Sequence, residues 1–287
     1  MKIQDEQLAI LDSLKVEKLN VNPENIALAS TFKNVKNPNL EKVISTAHAS
    51  QKDKDGSIAY YVVKTKDGVL LLYFSLKCGE LFQTLDMDKM AIASSALYHL
   101  HVINNKNNYS EGEIKKSIDY INSHLEEIKA ILPNLKDYAR KKEFYEHDVK
   151  KETNTDVQRV FKTCSAIEIV EFCSNDNARS KWKEYNLPKR MGECIFWHHI
   201  VPIIFSIRNL IGCEYVYLFA ADNTKNRTLA NYYQKALKFE YPNFLGTNKP
   251  HYDFLCYFLQ QKINKLKEEQ ERFYNNFNPD ETQEDIV

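Results

Sequence analysis

The chain predicts a mixed α/β fold: a central sheet, mainly antiparallel, flanked by helices and interrupted by a helical insertion. Three observations lead there. Two β-branched and aromatic runs, SIAYYVVKT and VLLLYFSLKCGELF, flank a Lys-Asp-Gly turn and read as a hairpin. From about residue 164 to 240, strand, helix, strand and helix patterns succeed one another, as in a sheet covered by helices. Between these parts, residues 84–163 carry long helical patterns and one glycine, Gly112.

Taken in order, residues 3–14 place Leu8, Ile10, Leu11 and Leu14 at helical spacing, and VEKLNV then alternates as a short strand does. Helices are expected at residues 25–32 and 40–50, with Pro23 near the start of the first and Pro38 before the second. QKDKDG is a polar turn leading into the hairpin. The insertion divides into MDKMAIASSALYHLHVI, EGEIKKSIDYINSHLEEIKAIL and LKDYARKKEFYEHDVKKE, three helices; Ser110 and Glu113 form a capping box and Pro133 closes the second. SAIEIVEFCSND resumes strand character, and NARSKWKEYN is a polar connection from it to the segment beginning at Leu187. HYDFLCYFLQQKI fits a final strand or the start of a helix. KINKLKEEQERFYNNF reads as a helix with a solvated, mixed-charge face, before the acidic tail PDETQEDIV. The expected organisation is one sheet domain in two parts, residues 1–83 and 164–262, with the insertion at 84–163 and a C-terminal helix and tail at 263–287.

Composition narrows the function classes. With 43% apolar and 12% aromatic residues in 287, a packed core is well supplied. Lysine plus arginine equal aspartate plus glutamate at 39 each, so no global field steers the chain toward nucleic acid or anionic lipid. Six cysteines (Cys78, Cys164, Cys173, Cys194, Cys213, Cys256) form no CxxC pair and sit mostly in apolar runs, which predicts buried free thiols. MKIQDEQLAI lacks the basic start and apolar block of a signal peptide. The longest apolar run, residues 194–207, is broken by His198, His199 and Pro202 and is shorter than a bilayer requires. A soluble, cytoplasmic protein without membrane association is the expectation.

The chemistry concentrates in LPKRMGECIFWHHIVPIIFSIRNLIGCEYVYLFAADNTKNRTLANYYQKALKF. Its opening turn, KRMGEC, joins basic Lys189 and Arg190 to Gly192 immediately before a helix. Unpaired N–H groups and the helix dipole favour an anion there, glycine allows close backbone approach, and the arrangement suits a pyrophosphate. His198 and His199 are adjacent on a helix and point about 100° apart, so they cannot share one ion without distortion, and no metal is expected. Pro202 in the same helix predicts a kink.

In the order turn, helix, apolar strand CEYVYLFAAD and Tyr-rich helix, the chain resembles the GNAT superfamily of acyl-CoA-dependent N-acetyltransferases. The family's Gln/Arg-x-x-Gly-x-Gly/Ala turn is matched by Lys189-x-x-Gly192-x-Cys194. Its later Asn, Ala, Tyr and Gly-Phe signature is approximated by Asn226, Leu229, Tyr233 and Phe239. Lys189, Cys194, Leu229 and Lys238 depart from the family's usual residues, and one residue is added between Tyr233 and Phe239. The resemblance covers about residues 165–260.

It implies that AIEIVEFCSND and CEYVYLFAAD splay apart and hold the pantetheine arm of acetyl-CoA, the expected co-substrate, against the backbone of Phe172, Cys173 and Ser174. The pyrophosphate would meet the amides of Arg190, Met191, Gly192, Glu193 and Cys194 beside Lys189, with Asn226 near the cofactor. Cys194 stands where the family has a small packing residue and is a packing thiol rather than a nucleophile. Tyr233 is the position that would protonate the leaving thiolate; Tyr232 lies on a different helix face, and both also read as core aromatics. For the base, Glu168 and Glu171 have odd separation and are expected on opposite faces of their strand. Glu171, nearer the end where the gap opens, is the candidate, since partial burial raises a carboxyl toward the range a general base needs.

The function implied is acetyl transfer to a primary amine of a small molecule, a protein or an aminoacyl-tRNA. The alternative is a non-catalytic GNAT-like module used for binding or interaction. A third possibility, a basic and aromatic nucleic-acid surface at RSKWKEYNLPKR, reads ordinarily as a solvated loop unless the acceptor is tRNA.

Overall fold

The computed structural model describes residues 1–84, 87–144, 160–222, 224–242, 245–247 and 256–279. They form two compact units, one of Met1–Phe82 with Thr163–Val287 and one of Gln83–Lys162.

In the first unit, α1 (Asp5–Asp12) leads into β1 (Lys15–Lys18). Helices α2 (Pro23–Ala29) and α3 (Pro38–Ser45) each start with proline at the first turn behind an asparagine cap: Asn22 accepts from the Glu24 N–H and Asn37 from the Asn39 N–H. The helix expected at residues 40–50 breaks at Thr46, whose backbone is extended, and resumes as α4 (Ala47–Lys54). The hairpin comes next as β2 (Ala59–Lys64) and β3 (Leu70–Thr84), with Gly68 at φ +83° in its turn.

The second unit contains α5 (Met87–Asn104), α6 (Glu111–Ser123), α7 (Leu125–Ile131) and α8 (Leu135–Phe144). The Ser110–Glu113 capping box is present in both directions. The middle helix divides at His124, and Pro133 lies in a short 3-10 turn beyond it. Met90, Ala93, Ala96, Ile128, Ile131, Leu135 and Tyr138 form this unit's own core. Residues 145–159 of the third expected helix and its connection to the next strand lie outside the described residues, as does the tail from residue 280.

The chain then continues through β4 (Val160–Ser174), α9 (Arg179–Glu184), α10 (Met191–Ile195), a π-turn (Phe196–Ile200), α11 (Val201–Ile211), β5 (Tyr215–Ala221), α12 (Thr228–Lys235), β6 (Cys256–Lys262) and α13 (Ile263–Asn275). Contrary to expectation, the polar connection NARSKWKEYN is partly helical: Ala178 and Trp182 are buried and anchor α9. The six strands lie in sequence order, β1 to β6. Pairs β1–β2, β2–β3 and β5–β6 are antiparallel, and β4–β5 is parallel.

One sheet face carries Val63, Leu72, Phe74, Ile167, Ile169, Val216, Leu218 and Leu259 against α1, α10, α11 and α13. The other carries Tyr60, Val62 and Tyr73 against α2, α3 and α4, and Cys164, Ala166, Tyr215 and Tyr217 farther along. On β4 the alternation fails. Ile167 and Ile169 join the larger core and Val170 the opposite side, but Phe172 belongs to the larger core and Cys173 to the opposite side. Strict alternation would give the reverse, so one residue is accommodated between Val170 and Phe172, as in a β-bulge. The expectation that Glu168 and Glu171 face opposite sides is therefore overturned. Glu168 hydrogen-bonds Tyr217 and Glu171 hydrogen-bonds Ser75, both away from the larger core.

From Met191 to Ile211 the chain is one continuous helix of 21 residues. By length and composition it is apolar enough to cross a membrane, which corrects the shorter span read from the run at 194–207; its Cys194, Ile195, Phe196, Trp197, Ile200, Val201 and Ile204 are buried in the larger core. Pro202 has no N–H to return to His198, and the π-turn at Phe196–Ile200 falls at that carbonyl. The expected kink thus takes the form of a widened turn. His198 sits there between the Tyr274 hydroxyl at 2.8 Å and the Asp12 carboxylate at 2.9 Å, and His199 Nε2 donates to the Leu11 carbonyl at 3.1 Å. The pair fastens the helix to α1 and α13.

Burial, with His198 alongside, depresses the His199 pKa to about 4. A group depressed in the folded state contributes stability above its unfolded pKa, and that stability is lost as pH falls from about 6.5 toward about 4. We expect His199→Gln, which keeps a donor for Leu11, to flatten this acid loss by on the order of 2 kcal/mol, read as the difference in urea midpoints between pH 7 and pH 4.5.

Candidate functional site

The parallel ladder between β4 and β5 runs from Ala166↔Tyr215 to Ile169↔Leu218 and stops, although β4 continues to Ser174 and β5 to Ala221. Each strand end is tied elsewhere. Asn175, buried at the end of β4, donates its N–H to the Leu71 carbonyl and its side-chain amide to the Leu70 carbonyl, both at 2.8 Å. Its Oδ1 accepts from the Lys33 N–H at 3.1 Å, and Asp176 accepts from the Val35 N–H at 2.7 Å. Beyond β5, buried Asp222 accepts from the amides of Thr224 at 3.0 Å, Leu229 at 2.7 Å and Ala230 at 3.0 Å, so this strand end is committed to the start of α12. Burial works to raise the Asp222 pKa, but the Thr224 hydroxyl and these amides outweigh it and hold the carboxyl below its usual range. The strands therefore part, as the GNAT resemblance implies.

The basic turn lies after β4 and α9. Helix α10 begins at Met191, with Arg190 as its N-cap in extended geometry and no side-chain cap. The Cys194 N–H returns to the Arg190 carbonyl at 3.0 Å, which leaves the earlier amides of the turn as the anion-facing set. Arg190 is exposed and Lys189 and Glu193 are half-buried; burial raises the Glu193 carboxyl pKa against the pull of Lys189, Arg190 and Lys238. Gly192 is required by space. A β-carbon there would lie 2.9 Å from the Tyr232 hydroxyl and 3.3 Å from the Phe172 ring.

Tyr232 and Tyr233 divide their roles by face. The Tyr232 hydroxyl lies over Gly192, with the Arg190 guanidinium 5.7 Å from its ring centroid. Tyr233 is buried, with ring centroids 6.4 Å from both Phe172 and Phe239, and burial raises its phenol pKa. Phe172 thus meets both the turn and the Tyr-rich helix. Asn226 is exposed in the turn before α12, and its carbonyl accepts from the Asn231 side chain at 2.8 Å.

On the other sheet face, the Glu171 carboxylate accepts from the Ser75 hydroxyl, while Ser75 Oγ accepts the Glu171 N–H at 3.1 Å. Burial raises the Glu171 pKa and Ser75 opposes it. Glu168 accepts from the Tyr217 hydroxyl at 3.1 Å, with Lys77 Nζ at 4.0 Å. The Tyr217 ring occupies the space a side chain at Gly79 would need. Cys173 and Cys194 are buried thiols whose pKa values are raised by desolvation, that of Cys173 to about 12; neither has the electropositive exposure a nucleophile needs. Of the six cysteines, Cys78 is exposed and Cys256 half-buried, which narrows the expectation of buried thiols to the other four. Among the described residues no group of three or more His, Cys, Asp or Glu is placed to hold a metal.

In the basic-aromatic segment Lys183 and Arg190 are exposed, but its first half is internally paired. Arg179 pairs with Asp176, Lys181 reaches Asp67 at 3.3 Å and Glu184 at 3.1 Å, and Trp182 is buried.

Asn175, Asp222 and Ser75, which build the site, went unread in the sequence. Asp222 carries a usable signal: Asp-x-Thr between a strand and a helix is a capping pattern. Ser75 sits in an apolar strand with nothing local to mark it.

No protein-family model and no curated protein matches the chain. Solved structures similar to it include one described as a bacterial toxin, at 9% identity over 90% of this chain and 95% of that one, TM-score 0.47. Another is AtaTR bound with AcCoA, at 10% identity over 89% and 97%, TM-score 0.44. A third is AtaT complexed with acetyl-methionyl-tRNAfMet, at 10% identity over 88% and 97%, TM-score 0.43.

Lys238, where the family has glycine, has φ +61° and an exposed side chain. Left-handed backbone costs a non-glycine residue about 1–2 kcal/mol. Lys238→Gly is expected to raise stability by about 1 kcal/mol, measured by urea unfolding, despite the entropy glycine adds to the unfolded chain.

Proposed function

We propose that the chain is an acetyl-CoA-dependent N-acetyltransferase of the GNAT type. The observation that carries this reading is the parting of β4 and β5 beyond Ile169 and Leu218, combined with a basic, glycine-bearing helix start after β4. The backbone of Phe172, Cys173 and Ser174, released from β5, would hold the pantetheine amides. The Met191, Gly192 and Glu193 amides with Lys189 and Arg190 would hold the pyrophosphate, without the expected Cys194 amide, which is bonded to the Arg190 carbonyl.

In this reading Glu171 takes the proton of the acceptor amine as its nitrogen attacks the thioester carbonyl. The C–N bond forms, the C–S bond breaks, and the thiolate receives a proton from Tyr233 or its neighbour Tyr232. The acceptor is a primary amine on a small molecule, a protein or an aminoacyl-tRNA.

The alternative, a non-catalytic module, is favoured by one feature: the Tyr232 hydroxyl covers Gly192 while Tyr233 is enclosed by aromatics. Activity of Tyr232→Phe and Tyr233→Phe separates the two readings.

Calorimetry with acetyl-CoA tests the proposal. Arg190→Glu reverses an exposed charge, and we expect affinity to fall about 10-fold or more, less so at high salt. Gly192→Asp should abolish binding. Absence of binding by the wild-type protein would sink the reading.

A further inference from the structure

We infer that Ser75 on β3 is the positioning residue of Glu171: it sets both the aim and the charge of the base, a role that rests on the acyltransferase reading above. The geometry is a closed loop of two hydrogen bonds. Ser75 Oγ accepts the Glu171 N–H at 3.1 Å, and the same hydroxyl donates its proton to Glu171 Oε2. Backbone and side chain of one residue are thereby held by a single atom from the neighbouring strand.

The location explains why a serine is needed. Glu171 stands where β4 breaks its alternation, so its N–H meets a side-chain oxygen rather than a β3 carbonyl. Ser75 is fully buried, and the half-buried Glu171, left without this hydroxyl, would lose a partner for both its amide and its carboxylate. Among the described residues Ser75 is the hydrogen-bond partner of the Glu171 side chain.

The other titratable groups around Glu171 come from every element packed on that face: Tyr60 of β2, Tyr73 of β3, Cys173 and Glu168 of β4, and Lys52 of α4. Tyr60, Tyr73 and Cys173 are neutral at pH 7, and Glu168 opposes a negative charge on Glu171. Lys52 favours that charge, acting through the field rather than through a hydrogen bond. The Ser75 hydroxyl is therefore the main local donor to the ionised form.

The test is a carbon-13 NMR titration of carboxyl-labelled full-length protein, with the Glu171 resonance assigned by its absence in Glu171→Gln. In Ser75→Ala the Glu171 midpoint should rise by about one pH unit, whereas Ser75→Thr, which keeps a hydroxyl, should stay near the wild-type value. CoA release from acetyl-CoA with glycinamide as the amine probe should show its rising pH limb displaced by the same amount in Ser75→Ala. A folded Ser75→Ala with an unchanged midpoint would overturn the inference. If Ser75→Ala does not fold, Ser75→Cys, a weak donor, should show a smaller upward shift, and no shift would again overturn it. Wild-type CoA release from Glu171→Gln would instead overturn the base assignment while leaving the Ser75 titration intact, so the two failures are distinguishable.

Discussion

The early end of the β4–β5 ladder is the constraint on which the rest of the first unit depends. A parallel pair packed on a core gains by continuing, since each unpaired backbone amide and carbonyl is costly. Here both strands persist past the last shared bond because each has a better-secured partner. Asn175 binds β4 to β3 and to the loop after α2, and Asp222 binds β5 to α12. The gap is thus the outcome of two anchored strand ends pulling in different directions.

The break in alternation on β4 solves a second problem. A strand between two cores has apolar demands on both faces, and β4 also carries two carboxylates, Glu168 and Glu171. By accommodating one extra residue between Val170 and Phe172, β4 turns Phe172 toward the aromatic cluster of Tyr233 and Phe239 while keeping Glu171 on the side of Ser75. A buried and a half-buried carboxylate on one strand face would ordinarily be costly. Each has its own hydroxyl donor, Tyr217 for Glu168 and Ser75 for Glu171, and Gly79 leaves room for the Tyr217 ring.

Much of this was legible in the residues because the relevant signals are local. The Lys-Asp-Gly hairpin, the Ser110 capping box, the helix start at the KRMGEC turn and the strand-helix-strand order each depend on a few neighbouring side chains, and each is present. What escaped is what depends on distant partners. Period-two counting put Glu168 and Glu171 on opposite faces, since nothing within the strand announces a bulge whose partner lies 96 residues away. The α9 helix was hidden because its charged surface dominates the composition, while the anchoring comes from Ala178 and Trp182 reaching the core. The π-turn was visible only as a proline in a helix, and the contacts of His198 and His199 with α1 and α13 lie too far along the chain to be read from it.

The degenerate motif encodes a backbone shape more than a set of residue types. Lys238 stands where the resembled family has glycine, and yet its backbone takes the left-handed conformation that glycine would supply at no cost. That conformation lets the Phe239 N–H turn back to the Tyr233 carbonyl at 3.1 Å and places Phe239 against Tyr233 and Phe196. Fixing Phe239 fixes the end of the Tyr-rich helix, and with it the distance between that helix and Gly192. The backbone geometry is therefore preserved where the residue is not, because aromatic burial at Phe239 is worth more than the local strain at Lys238. A pattern of residue types registers only the loss of glycine, whereas the physical requirement, a reversed backbone with a buried ring directly after it, is still met.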